Sequence, residues 1–202
     1  MTARPEGLEV DVRNRQAPLR ARYRSLPDSA SVVDHASITS TALHDPLHGT
    51  VRAGSTAVAE IAFAVHHAIG GLHDAPVPGD LLCAALASCQ ESSLRMVANV
   101  YGIVIEELSV QVHARVDVRG TLGMNRAVPV GFQSIDVQVL LRAAEGTSSA
   151  RLRQCCRAAE RACVVLQTLR SGIPVHLVLD SGLQPPPPEL DRPFTSPTQD
   201  QS

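Results

Sequence analysis

The chain of 202 residues contains no lysine, and all 18 of its basic residues are arginine. That excludes Schiff-base chemistry on a lysine and removes the lysine of a phosphate-binding P-loop. Tryptophan is also absent, with two tyrosines and three phenylalanines the only aromatic rings of their kind. Stacking platforms for single-stranded nucleic acid are therefore not expected. A formal net charge of -2 gives no electrostatic reason to expect nucleic acid or an anionic membrane as partner. No apolar run approaches the roughly 18 residues of a membrane span. "MTARPEGLEVDVRNRQ" at the start lacks the apolar stretch of a secretory leader, so a cytoplasmic location is the expectation. Five cysteines, an odd number, do not read as a secreted disulfide framework. Either at least one thiol is reactive or all are buried hydrophobes.

Residues 1 to about 16 are polar and arginine-rich and are expected to be mobile. Leu19, Tyr23 and Leu26 recur at helical spacing before Pro27, which predicts a short amphipathic helix. Two strands are predicted over 47–69, where Ile61, Phe63 and Val65 alternate with Ala62, Ala64 and His66 before Gly70–Gly71. The pattern predicts a helix from Gly79 to Tyr101, with Pro78 before it, Asp80 in its first turn and Gly102 as its stop. "LSVQVHARVDV" then turns Leu108, Val110, Val112, Ala114, Val116 and Val118 to one face, and "GFQSIDVQVLLRA" does the same with Ile135, Val137, Val139 and Leu141. "SSARLRQCCRAAERACVVLQTLRSG" reads as one further long helix, and "IPVHLVLD" as a last strand. The order of strands, helix, strands, helix and strand argues an α+β fold. Three regions are expected: a polar arm with its short helix over 1–46, a domain over 47–182, and a disordered Pro-rich tail over 183–202.

The thiols carry the candidate chemistry. Cys83 and Cys89 fall on the first long helix, and Cys155, Cys156 and Cys163 on the second. Buried cysteine is a common core residue, and Cys83, between Leu82 and Ala84, fits that role. Cys155 and Cys156 lie between arginines and read as half-exposed. Cys89 is followed by Gln90, Glu91, Ser92 and Ser93, an unusual polar setting for a core thiol. Cys163 sits at a similar boundary. Two such thiols on two central helices suit a peroxidatic and resolving pair. A metal centre is not expected, because no CxxC spacing occurs and an extended chain would turn His66 and His67 to opposite faces. No cofactor is implied.

At this point "PGDLLCAALASCQESSLRMVANVYGI", "VDVRG", "VPVGFQ" and "AERACVVLQTLRSGIPV" resemble the OsmC/Ohr family of thiol-dependent peroxidases, over about residues 50 to 180. The resemblance implies antiparallel sheets wrapped around two long central helices in an intertwined homodimer, with active sites at the dimer interface. It also implies reduction of organic hydroperoxides at the expense of a dithiol reductant, Cys89 being peroxidatic and Cys163 resolving. The family's active peroxidases place a glutamate directly after the helix-opening proline, where it holds an activating arginine. Here Gly79 takes that position, with Asp80 next. His66, His67 and Arg52, on the strands before the helix, are the candidate cations for activating the thiolate, with Asp80 as the carboxylate. The alternative is a non-peroxidatic member of the same fold that binds an apolar small molecule or senses redox state. A dimer that only bears interactions is the third reading.

Overall fold

The computed structural model describes residues 10–39, 43–54 and 59–178. Helix α1 (Val12–Ser25) opens on Asp11, whose carboxylate accepts from the Asn14 amide at 2.9 Å. It begins at Val12, within the stretch expected to be mobile, and ends just before Pro27, as expected. What organises its first turn is distant in sequence. Asn99 accepts from the Val12 amide at 3.0 Å and donates to the Val10 carbonyl at 2.6 Å, and Arg13 donates to the Val100 carbonyl at 2.9 Å. Asn99→Ala should therefore loosen this arm at a cost of roughly 0.5–1.5 kcal/mol, the net range for an ordinary intramolecular hydrogen bond. Hydrogen exchange at the Val12 amide would rise with it, and unchanged protection would refute the tether.

Strands β1 (Ala36–Ser37), β2 (His48–Ala53) and β3 (Ala59–Ala64) form an antiparallel sheet in that order. Helix α2 (Pro78–Tyr101) follows, with Pro78 in its first turn and Asp80 accepting the Val77 amide at 2.9 Å. Gly102, left-handed at φ 64, ends it as expected, and the Ile103 amide reaches back to the Ala98 carbonyl at 2.8 Å. Strands β4 (Ile105–Arg115) and β5 (Ser134–Ala143) pair antiparallel as a separate two-stranded ribbon. Between them lies one helical turn, α3 (Val118–Thr121). The alternation expected through Val118 stops at Arg115, because Asp117 caps that turn by accepting the Arg119 amide. Val116 is accordingly exposed.

Helices α4 (Ser149–Ala162) and α5 (Val164–Ser171) replace the single long helix expected there. Cys163 is the break, extended at φ -76 and ψ 101. No Gly or Pro marks it, but Cys163, Val164 and Val165 are all weak helix formers. Helix α2 packs against β4, α4 and α5. Ala98, Ile103 and Cys155 form the buried centre, with Leu152, Ile105 and Tyr101 against it.

All these elements fall in the first of two compact units, 1–172 and 173–202. The expected last strand is not formed where it is described: Ile173–Val178 is irregular, with Val175 and Val178 87% and 88% exposed. A strand needs a neighbour to take its backbone groups, and none pairs with it among the described residues. The Pro-rich tail lies outside the described residues.

Candidate functional site

Helix α2 presents Cys89 half-buried near its middle, and the break between α4 and α5 presents Cys163 fully buried. The structure brings these two thiols together. Burial is the largest influence on Cys163 and pushes its pKa up; a hydrogen bond with the Cys89 side chain pushes the same way. The backbone amides of Leu166 and Val165, the first turn of α5, pull against this. At neutral pH Cys163 is thus held as a thiol facing Cys89. Cys155 is wholly buried rather than half-exposed, and burial lifts its pKa to about 11, which makes it an inert core thiol. Cys156 is half-buried and also shifted up by burial. Cys83, the expected core cysteine, is only half-buried.

A cavity of about 750 Å³ opens between α2, β5, α4 and α5, with Cys156 rather than Cys89 or Cys163 in its lining. The strand side chains Ile135, Val137, Val139 and Leu141 form one wall. It meets α2 at Leu86 and Gln90, on either side of Cys89, and α5 at Leu166, one turn beyond Cys163. Gln90 is buried, and its Oε1 has no hydrogen-bond partner. Among the described residues, the charged side chains on the wall are Glu160 and Arg170, which neutralise each other at 2.7 Å.

The candidate activating groups stand elsewhere. Arg52 pairs with Glu60, its neighbour across the β2–β3 ladder, at 3.0 Å, with both side chains exposed. His66 and His67 were expected on opposite faces of a strand, but β3 ends at Ala64, and His66 instead caps the 3-10 turn His67–Ile69. Their rings stack at 4.3 Å, and His73 joins them at 4.6 Å from His66 and 5.6 Å from His67. Desolvation, then the neighbouring His67 and His73, lower the His66 pKa. Asp80 caps Val77 and lies 3.4 Å from His73. Nine residues of helix separate Asp80 from Cys89, about 13 Å along the axis. The histidine group therefore sits at one end of α2 and the thiol at its middle. At Gly79 an added Cβ would lie 3.0 Å from the Phe132 ring, so that ring occupies the space a larger residue would claim.

His73 was missed by sequence reasoning. It falls in a loop without periodicity, and the available signal was three histidines within eight residues bracketing Gly70–Gly71. The loop is held to β2 by His48, which lies 2.8 Å from Asp45 and 3.0 Å from Asp74. Asp45 first, then Asp74, raise the His48 pKa above its ordinary 6.5. Stability from a raised histidine is complete below the ordinary value and is lost as pH rises through the folded value. Thermal midpoints should therefore fall as pH rises from about 6.5 through the raised His48 pKa, by an increment missing from His48→Gln. Parallel profiles for the two proteins would refute this.

A family model described as OsmC-like protein matches residues 71–178. The chain belongs to the OsmC-like family. No curated protein matches it. The organic hydroperoxide resistance protein OsmC of Legionella pneumophila is similar in structure at 22% identity and a TM-score of 0.52, over 70% of this chain and 92% of that one. An organic hydroperoxide resistance protein of Elizabethkingia anophelis gives 18% and 0.51, over 70% and 91%. An OsmC-like protein of unknown function from Vibrio cholerae gives 14% and 0.53, over 68% and 94%. These likenesses bear on the fold, and the α+β OsmC-like architecture expected from the sequence is the one observed. No described helix of this OsmC-like chain is long and apolar enough to cross a membrane.

Proposed function

We propose that this OsmC-like protein is a thiol peroxidase that reduces organic hydroperoxides through Cys89 and Cys163, in defence against oxidative stress. The observation that carries the reading is the approach of Cys89 on α2 to Cys163 at the α4–α5 break, near enough for each thiol to act on the other's electrostatics. The Cys89 thiolate attacks the distal oxygen of ROOH; the O–O bond breaks, Cys89 becomes a sulfenic acid, and ROH leaves after taking a proton. The Cys163 thiol then attacks that sulfur, forming the disulfide and releasing water. A dithiol reductant supplies the two electrons that restore both thiols. The burial that raises the Cys163 pKa supports this order of steps. The neighbouring cavity, walled by β5 aliphatic side chains, suits the hydrocarbon part of an organic substrate. Stopped-flow consumption by the pre-reduced protein should be faster for cumene hydroperoxide than for hydrogen peroxide. Loss of neither peroxide would overturn the reading.

The active form is a homodimer in this proposal. A two-stranded ribbon is marginal alone, and the exposure of Val139, Leu140, Val164 and Leu169 leaves apolar surface for a second copy. Light scattering should give about twice the 21.5 kDa chain mass. A clean monomer at micromolar concentration would overturn this.

A second reading is favoured by the same cavity together with the unpartnered Gln90 Oε1: an OsmC-like protein that holds an apolar molecule bearing one hydrogen-bond donor. Under it, a long-chain alcohol binds the fully reduced protein without any consumption of peroxide.

A further inference from the structure

We propose that His66, His67 and His73 form a binding site for a divalent first-row transition ion of the zinc class, separate from the thiol pair. One coordinating nitrogen from each ring lies within 4.8 Å of the others. The Nδ1 atoms of His67 and His73 are already 3.4 Å apart. Two nitrogens bound tetrahedrally at 2.0–2.1 Å from one ion stand about 3.3 Å apart, so this pair has the spacing of two ligands. Without an ion, two neutral rings can hold that approach only with a proton between their lone pairs.

The other nitrogen of His73 strengthens the assignment. Its Nε2 lies 3.4 Å from Asp80 Oδ2, the oxygen that also accepts the Val77 amide at 2.9 Å. A ring that offers Nδ1 to a metal and Nε2–H to a carboxylate is the usual arrangement of a ligating histidine. His66 enters last, because its Nδ1 now accepts the Ala68 amide at 2.9 Å; ligation through Nε2 moves its proton to Nδ1 and gives up that bond.

The backbone is shaped for the convergence. The Gly71 amide returns to the His66 carbonyl and the His73 amide to the Val65 carbonyl, both at 3.1 Å, folding the loop back on the end of β3. His73 stands at φ 55, the one described non-glycine residue in the left-handed region. Strain held at such a position accompanies function, and here it turns the ring toward the other two. Three imidazoles leave a fourth position to water, and imidazole donors select zinc, copper, nickel or cobalt over magnesium or calcium.

The test is titration of Co²⁺ into the reduced full-length protein, read by visible d–d absorption and the near-ultraviolet sulfur charge-transfer region. Expected are one equivalent bound, tetrahedral d–d bands without a sulfur band, and paramagnetic broadening of amides 65–74 in the wild type. Asp80→Asn, which keeps a capping oxygen, should weaken Co²⁺ binding about 10–100-fold. His73→Ala should abolish the d–d bands. No binding at millimolar Co²⁺, a sulfur band with broadening around the cysteines, or unchanged affinity in both variants would overturn the site. The wild-type broadening decides the matter even if His73→Ala fails to fold.

Discussion

Cys89→Ser should abolish hydroperoxide turnover, reducing the rate by several orders of magnitude to that of buffer, while the fold persists. The reacting group is a thiolate, and a serine hydroxyl in a site without an adjacent base stays protonated and inert toward peroxide. Cys89 is half-buried and carries no core packing comparable to Cys155, so the substitution removes chemistry and little stability. Cys163→Ser behaves differently. Its first turnover still yields one equivalent of alcohol, because Cys89 attacks unaided. The sulfenic acid then has no partner, and it accumulates and drifts toward sulfinic acid under excess peroxide. In the wild type, one equivalent of hydroperoxide should leave a Cys89–Cys163 disulfide on peptide mapping. A disulfide to Cys155 or Cys156 with Cys89 still reduced would refute the assignment. Full activity in Cys89→Ser would refute the mechanism outright, whatever the dimer does.

The sequence-legible features share a local cause. Pro78, Asp80 and Gly102 set the ends of α2 through contacts within a few residues, so the helix that carries Cys89 could be placed closely. The strand pairs could be read from alternation, since a half-buried ribbon imposes it residue by residue. The break at Cys163 could not. No special residue marks it, and the extended cysteine coincides with full burial beside Cys89, a contact made across 74 positions of chain. The docking of α1 through Asn99 escaped for the same reason, its partners lying 87 and 89 residues away. The histidine group was hidden by extending alternation past Ala64. One more bond continues the pairing, from the Val65 amide to the Leu47 carbonyl at 2.9 Å, and His66 then caps the His67–Ile69 turn. The pattern of residues continued, but the ladder that gives such a pattern its meaning had stopped.

Gly71→Ala should be among the most destabilising single-methyl substitutions in this chain. An added Cβ would stand 2.0 Å from the Val65 carbonyl oxygen and 2.4 Å from its carbon, both backbone atoms with no rotamer to yield. Relief requires the loop to open, which breaks the bonds from the Gly71 amide to His66 and from the His73 amide to Val65. The expected cost is about 3 kcal/mol, the upper part of the range for forced overpacking. For a chain of this size that lowers the thermal midpoint by roughly 6–12 °C. Gly131→Ala is the control: nothing lies within 4 Å of its added methyl, so its midpoint should move very little. Below the transition, the Gly71 variant should lose Co²⁺ binding, because His73 no longer returns to the other rings. Its hydroperoxide turnover should persist, because Cys89 lies about 13 Å along α2 from Asp80. Equal midpoints for the two alanine variants would refute the steric claim. Loss of turnover together with metal binding would show that the loop and the thiol pair act as one site.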